Sequence, residues 1–244
     1  MKQAQFRFHA ELNDFLAPKV KGATITCPIN GDQSVKHLIE SLGIPHPEVS
    51  RILVNENPVD FGYIVQDADQ IDVYPITPAE QIARLPDERC FILDNHLGRL
   101  AVYLRMLGFD SLYRNDYHDE ELALVANQEE RILLTRDVRL LMRNLVGNGY
   151  WVRSKIPREQ LVEVVERFGL TPHVQPFRRC MRCNGILQSV SKERVLERLE
   201  PLTKLYYQEF RICPRCDRVY WKGSHYERMQ KFLDQVIAEA DHHL

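Results

Sequence analysis

The chain has 244 residues, 44% hydrophobic and 27% charged, the proportions of a soluble globular protein with one large domain or two to three small ones. No apolar run approaches the roughly 18 residues a membrane span needs, and MKQAQFRFHAELNDF has no signal-peptide core, so the reading excludes a membrane partner and takes the cytoplasm as the compartment. The net charge of −2 hides a gradient: −5 over residues 1–80, −1 over 81–174, +7 over 175–232 and −3 beyond. That asymmetry suits an acidic module at one end and, at the other, either a polyanion-binding surface or a plain solvated basic face.

QFRFHAEL alternates like a strand, and ATITCPI fits a second. Ser34 can cap the helix SVKHLIESLG, whose Val35, Leu38, Ile39 and Leu42 share one face, and Gly43 ends it. RILVN and QIDVYP supply two further strands, giving the order of a β-grasp. SVKHLIESLGIPHPEV, LVNENPVDF and DADQIDVYP resemble the ubiquitin-like sulfur-carrier family, in the form fused to an RNase-like domain. Members that carry sulfur need a free Gly-Gly terminus. Here YPITPAEQ runs on without one, which favours a binding or scaffolding module, with a protein partner for the β-grasp as the expectation.

TPAEQIARLPDE, with Pro78 and Pro86, reads as a linker. The segment after it alternates strands and helices: RCFILD, HLGRLAVYLRMLG, FDSLYR, DEELALVANQEE, RILLTRD, VRLLMRNL, YWVR and EQLVEVVERFG. This alternation predicts a parallel sheet covered by helices on both faces. Ligands of such sheets bind beyond the carboxyl ends of the strands. Asp94 and Asp137 each end a predicted strand, and Asp119 opens a helix near the same edge. Converging carboxylates suit Mg²⁺ or Mn²⁺, which take oxygen ligands and activate water. Each acid also has a structural reading: Asp119 and Asp137 are good helix N-caps.

FILDNHLGRLAVYLRMLGFD followed by DEELALVANQEERILLTRD is similar to the PIN-like RNase domain known as the Mut-seven C-terminal domain. The cysteine region ending in VYWKGSHYERM belongs to the same pattern, so the resemblance spans about residues 88–230. It implies an α/β fold with a PIN-like parallel sheet, and a metal-dependent ribonuclease whose acids carry over onto Asp94 and Asp137. Asp119 best matches the acid of the middle helix, with Glu120 beside it as a further ligand and Glu121 and Asp116 as rivals. Many PIN domains have a fourth acid, yet residues 138–157 contain no Asp or Glu. That departure sustains an alternative: a catalytically weak or inactive RNA-binding or adaptor protein that docks through its β-grasp and its cysteine region. Arg99, Arg105, Arg136, Arg139 and Arg143 fit an RNA substrate, Arg136 best of all; for the rest a solvated helix face is an equal reading.

C-M-R-C and C-P-R-C place Cys180, Cys183, Cys213 and Cys216 as two knuckles, which together make a closed Cys₄ site for one structural Zn²⁺. For either motif alone a thioredoxin-like redox pair is the rival, and Cys27 and Cys90 read as small buried residues. Arg178, Arg179, Arg182, Arg215, Arg218 and Lys222, interleaved with Tyr220 and Trp221, suit RNA phosphates and stacked bases. Packing of the ribbon against the nuclease domain through Tyr220 and Trp221 is the equal alternative. The expected organisation is a β-grasp over 1–78, a linker over 79–87, a PIN-like nuclease over 88–172 and a zinc ribbon with C-terminal helix over 173–244.

Overall fold

The computed structural model describes residues 2–86 and 88–241. Met1, Asp87 of the expected linker and the last three residues of the expected ribbon segment lie outside the described residues.

Strand β1 (Gln3–Phe8) buries every second side chain, Ala4, Phe6 and Phe8. Strand β2 (Ile25–Pro28) pairs antiparallel with it. Helix α1 (Val35–Ser41) starts where the Ser34 hydroxyl accepts the His37 N–H at 3.3 Å, and Gly43, at φ +98°, follows its end. Strands β3 (Val49–Val54), β4 (Asn57–Val59) and β5 (Gln70–Pro75) complete a sheet of order β2-β1-β5-β3-β4, with β1 and β5 parallel at its centre. This is the expected β-grasp. It has one strand more than expected: Asn55 and Glu56, at φ +48° and +70°, turn β3 tightly into β4. Val35, Leu38 and Ile39 of α1 close over Phe6, Phe8, Ile52 and Val73 to form the core.

The expected linker folds as helix α2 (Pro78–Arg84). The Thr77 hydroxyl accepts the Glu80 N–H at 3.3 Å, and the Glu80 carboxylate accepts the Thr77 N–H at 2.9 Å. This capping box, with Pro at the first helical position, starts a helix from a stretch that its prolines had marked as a breaker.

The chain then alternates β6 (Cys90–Leu93), α3 (Gly98–Leu107), β7 (Asp110–Tyr113), α4 (Asp119–Gln128), β8 (Ile132–Thr135), α5 (Val138–Leu141), β9 (Gly149–Trp151) and α6 (Pro157–Arg167). Pairings β6/β7 and β8/β9 are both parallel, so this is the expected α/β fold of parallel strands flanked by helices. Helix α5 is a single turn and stops before the Asn144-Leu-Val-Gly147 stretch, whose Asn and Gly are poor helix formers. The cysteine region adds β10 (Gln188–Val190), α7 (Lys192–Val195), α8 (Pro201–Tyr206), β11 (Phe210–Ile212) and β12 (Val219–Trp221), with the three strands in one antiparallel sheet. Helix α9 (Ser224–Asp241) ends the described chain.

Two compact units result: Met1–Leu85 with His118–Trp151, and Pro86–Tyr117 with Val152–Leu244. In the first, the β-grasp is bonded directly to the turn after α5 and to β9. The His46 ring meets the Val146 carbonyl at 2.9 Å, Lys36 donates to Asn144 at 2.8 Å, and buried Gln81 donates to Asn148 at 3.3 Å. Glu48, 1% exposed, accepts the Trp151 N–H at 2.8 Å, and the Phe15 ring packs 4.8 Å from Trp151. In the second unit, α9 packs on α3, with Tyr103 and Phe232 at 4.8 Å, and on α6, through the Arg158–Glu239 ion pair. Among the described residues no helix is long and apolar enough to cross a membrane.

Candidate functional site

Asp94 directly follows β6 and is 5% exposed. Its carbonyl accepts the Leu97 N–H at 2.9 Å, closing a 3₁₀ turn over Asn95–Leu97, while its carboxylate makes no capping bond to that turn. The Tyr113 hydroxyl at the end of β7 pins the same turn by donating to the Asn95 carbonyl at 3.1 Å. Gly98 makes room for it: a Cβ there would lie 2.6 Å from the Tyr113 hydroxyl oxygen. Asp94 is therefore a buried acid on a braced strand end, the place where parallel sheets gather ligands.

The other expected acids stand at helix starts in the first unit. Asp137 caps α5, as its structural reading had it: its carboxylate accepts the Arg139 N–H at 2.8 Å, and its own N–H donates to the Thr135 hydroxyl. Asp119 is not the cap of α4. His118 holds that position, and Asp119, Glu120 and Glu121 fill the first turn, where their charge suits the positive end of the helix. Arg143 joins two of them, at 2.8 Å from Glu120 and 3.7 Å from Asp119. The Glu120 backbone N–H, then Arg143, hold the Glu120 carboxyl below its ordinary value. Of the other arginines, exposed Arg99 lies against the Tyr103 ring, and the Arg136 carbonyl accepts the Trp151 indole N–H at 3.3 Å.

The four cysteines close to metal-site dimensions. Their sulfurs all lie within 4.8 Å of one another, with Cys180–Cys216 at 3.5 Å and Cys183–Cys213 at 3.3 Å. A tetrahedral zinc site with Zn–S bonds of about 2.3 Å needs sulfur pairs about 3.8 Å apart, so this cluster could bind zinc. The two knuckles share one design. The Cys180 carbonyl accepts the Asn184 N–H at 2.9 Å, and the Cys213 carbonyl accepts that of Asp217 at 2.8 Å. Asn184 and Asp217 each follow the second cysteine of their pair in left-handed conformation, φ +68° and +57°, which Asn and Asp adopt most readily after glycine. Burial alone would raise the Cys180 thiol, but hydrogen bonds from the Tyr220 hydroxyl and the Cys183 and Arg182 amides bring it down to about 6. Burial pushes Cys183 up to about 12. Four sulfurs this close match the donor set of a metal site. Of the other two cysteines, Cys27 is buried and Cys90 partly so.

Asn184 has no role in the sequence reading, and Arg105 and Arg179, both expected at RNA, are structural. Arg105 of α3, expected at RNA or on a solvated face, is 4% exposed. It donates to the Ser111 carbonyl at 2.9 Å and to the Met181 and Arg182 carbonyls at 3.2 Å, gripping the first knuckle from behind. Asn184 ties that knuckle to β7: its side chain accepts the Ser111 N–H at 3.1 Å and donates to Asp110 at 2.9 Å. Arg179 pairs with Asp110 at 3.1 Å and donates to the Gly108 and Asn184 carbonyls. The Tyr220 hydroxyl lies 3.1 Å from the Cys180 sulfur, a contact inside the cysteine region. Arg182, Arg215, Trp221 and Lys222 remain on the surface. An Asn directly after C-x-x-C was the one visible sign of this tether; nothing in the spacing marked Arg105.

The family model for the Mut7-C RNAse domain matches residues 89–233, and that for the Mut7-C ubiquitin domain matches residues 1–81. The chain belongs to the Mut7-C RNAse domain family. The Mut7-C arrangement, a ubiquitin-like domain before the RNase domain, thus accounts for nearly its whole length. No curated protein matches the chain. Two crystal structures of a small archaeal modifier protein, SAMP1 from Haloferax volcanii, are similar to part of it. They are 14% and 15% identical, cover 31% and 30% of this chain and 98% and 93% of theirs, and give TM-scores of 0.25 and 0.24.

Proposed function

We propose that this Mut7-C protein is a metal-dependent ribonuclease of PIN type that hydrolyses RNA phosphodiesters in the cytoplasm. The observation that carries the reading is Asp94: a nearly buried carboxylate directly after a parallel strand, at the end where such sheets gather ligands. Asp94, Asp119 and Asp137, with Glu120 as a further candidate, are the proposed ligands of Mg²⁺ or Mn²⁺, since carboxylate oxygens are the donors these ions prefer. Such an ion, when bound, supplies Lewis acidity and an activated water. Asp94 contributes a carboxylate positioned by its braced turn, and Arg136, beside Asp137, is the proposed contact to a substrate phosphate. The four cysteines hold one structural Zn²⁺ as thiolates, and a reducing cytoplasm keeps them from oxidising to disulfides. Arg182, Arg215 and Lys222 form the basic face that contacts RNA phosphates, with Trp221 as a stacking surface. The β-grasp acts as a scaffold.

A second reading, RNA binding without strong catalysis, draws support from Arg143, which occupies Asp119 and Glu120, and from the lack of an acid in 138–157. Incubation of end-labelled single-stranded and structured RNAs with Mg²⁺ or Mn²⁺ separates the two. Cleavage by the native chain, lost in Asp94→Asn and Asp137→Asn with melting unchanged, is expected of the nuclease. Intact RNA, bound equally by all three proteins, establishes the binding protein.

A further inference from the structure

The second unit holds a cleft of about 590 Å³ in its cysteine region, within the range that small ligands occupy. Its lining comes from β10, β11 and β12, from the segment 176–181 and from α9. Strand register explains which side chains face it. Ser189, Arg211 and Tyr220 are directly opposite one another across the three strands, so they share one face of the sheet. Phe210, Ile212 and Val219 take the other face, where Val195 and Leu199 cover them. Phe177 and Tyr226, with ring centroids 4.4 Å apart, and the thioethers of Met181 and Met229 line the cleft from the remaining elements. Trp221 and Lys222 also line it.

One lining residue has unusual backbone. Phe177 sits at φ +55°, an uncommon conformation for a bulky side chain. It is kept there by its N–H on the Met106 carbonyl at 2.8 Å and by its own carbonyl, which accepts from Arg211 at 3.1 Å. Strain of this kind persists where surrounding structure over-determines it, and it clusters at ligand sites.

We propose that this cleft receives one unpaired nucleotide, its base against the Tyr226 and Phe177 rings and its phosphate at Arg211 and Lys222. Rings and thioethers suit the flat, polarisable face of a base. Arg211 and Lys222 suit an anion, while Arg179 is taken up by Asp110; Glu209, the one acid among the lining residues, pairs with Lys222 at 3.4 Å. A purely apolar ligand has no use for the cations, and a bare phosphate has none for the rings. A stacked duplex cannot turn a base into such a recess, whereas a single strand can. The proposal rests on the RNA-directed reading above and gives it a preference: single-stranded segments, gripped beside the first knuckle.

The test is equilibrium dialysis of labelled adenosine 5′-monophosphate against the zinc-loaded full chain, beside gel shifts with ribo- and deoxyribo-oligonucleotides and with duplex RNA. Saturable uptake of the mononucleotide is expected, with loss of about tenfold to a hundredfold in Tyr226→Ala, near-native uptake in Tyr226→Phe and a similar loss in Arg211→Ala, at unchanged zinc content. The same variants should weaken single-stranded RNA and leave duplex binding as it was. A ribo- over deoxyribo-oligonucleotide preference assigns the strand as RNA, and the reverse overturns that assignment. Equal competition by inorganic phosphate, or full binding by Tyr226→Ala, overturns the proposal even where RNA is still cut, and leaves the nuclease reading standing. Mononucleotide binding by a chain that neither binds nor cuts RNA sinks the nuclease reading and upholds the cleft.

Discussion

Arg105 offers the sharpest link between the fold and the four-cysteine cluster. Replacing it by Met keeps most of the buried volume and removes three N–H···O bonds, one to Ser111 and two to the knuckle carbonyls of Met181 and Arg182. Hydrogen bonds from a charged donor are worth about 1.5–3 kcal/mol each, so a plain sum would reach about 4.5–9 kcal/mol. That sum is too large, because burial disfavours the guanidinium, pushing its pKa down from the ordinary value, and removing the charge recovers that cost. A net loss of about 3 kcal/mol is the reasonable figure. Two of the three bonds end on the C-x-x-C turn, so about 2 kcal/mol should appear as weaker zinc binding, roughly thirtyfold. Arg105→Lys keeps the charge without the planar fork and should recover only part of it. Competition against chelators of graded strength, read as zinc per chain, measures the difference. Zinc affinity within about threefold of native in Arg105→Met would refute the argument that the knuckle is held from behind.

Two further substitutions probe each unit separately. Gly108→Ala places a Cβ 2.3 Å from the Gln175 carbonyl oxygen at φ +101°, and should cost about 2–4 kcal/mol by urea denaturation; under about 1 kcal/mol would mean that α3 does not anchor the approach to the cysteine region. Glu48→Ala strips the acceptor from the Trp151 N–H and should cost about 1–3 kcal/mol and speed hydrogen exchange at that amide, while Glu48→Gln keeps an acceptor and should stay near native; unchanged exchange in the Ala variant refutes a brace at β9.

What could be read in advance followed the range of the signal. Phe6 and Phe8 alternate within one strand, and Ser34 caps a helix three residues away, so both were legible from neighbours alone. The two C-x-x-C pairs are 29 residues apart, yet zinc chemistry supplies the rule that joins them. The helix over Pro78–Arg84 stands where the sequence reads as a linker, although its signal is local: Thr-Pro-Ala-Glu is a capping box with Pro at the first helical position. Strand β4 was missed because three residues including Pro58 give no alternation to count. Arg105 was beyond reach for a different reason. Its partners lie 76 and 77 residues away and are backbone carbonyls, which every residue has, so no side-chain pattern marks them. The cleft likewise depends on Phe177, Arg211 and Tyr226 meeting across loops of different length.

The ubiquitin-like domain gains a physical role from the same contacts. A carrier of that fold works through a terminus that extends freely beyond its last strand. Here the residues after β5 are committed to structure: the Ile76 N–H donates to the Glu48 carbonyl at 3.0 Å, Thr77 and Glu80 close the capping box, and the Ser50 hydroxyl of β3 donates to Glu80 at 2.9 Å. Gln81, on the next turn, is buried and donates to Asn148 at the start of β9. Freeing that tail would break the capping box, worth about 1 kcal/mol, and would expose Gln81 and its partner together. The segment that a carrier would offer to an enzyme is thus the segment that fastens the domain to β9 and to the turn after α5, close in sequence to Asp137 and Arg143. A tail folded into a capping box and a buried Glu48 on the Trp151 amide describe a domain fastened to β9, in keeping with the scaffold proposed above.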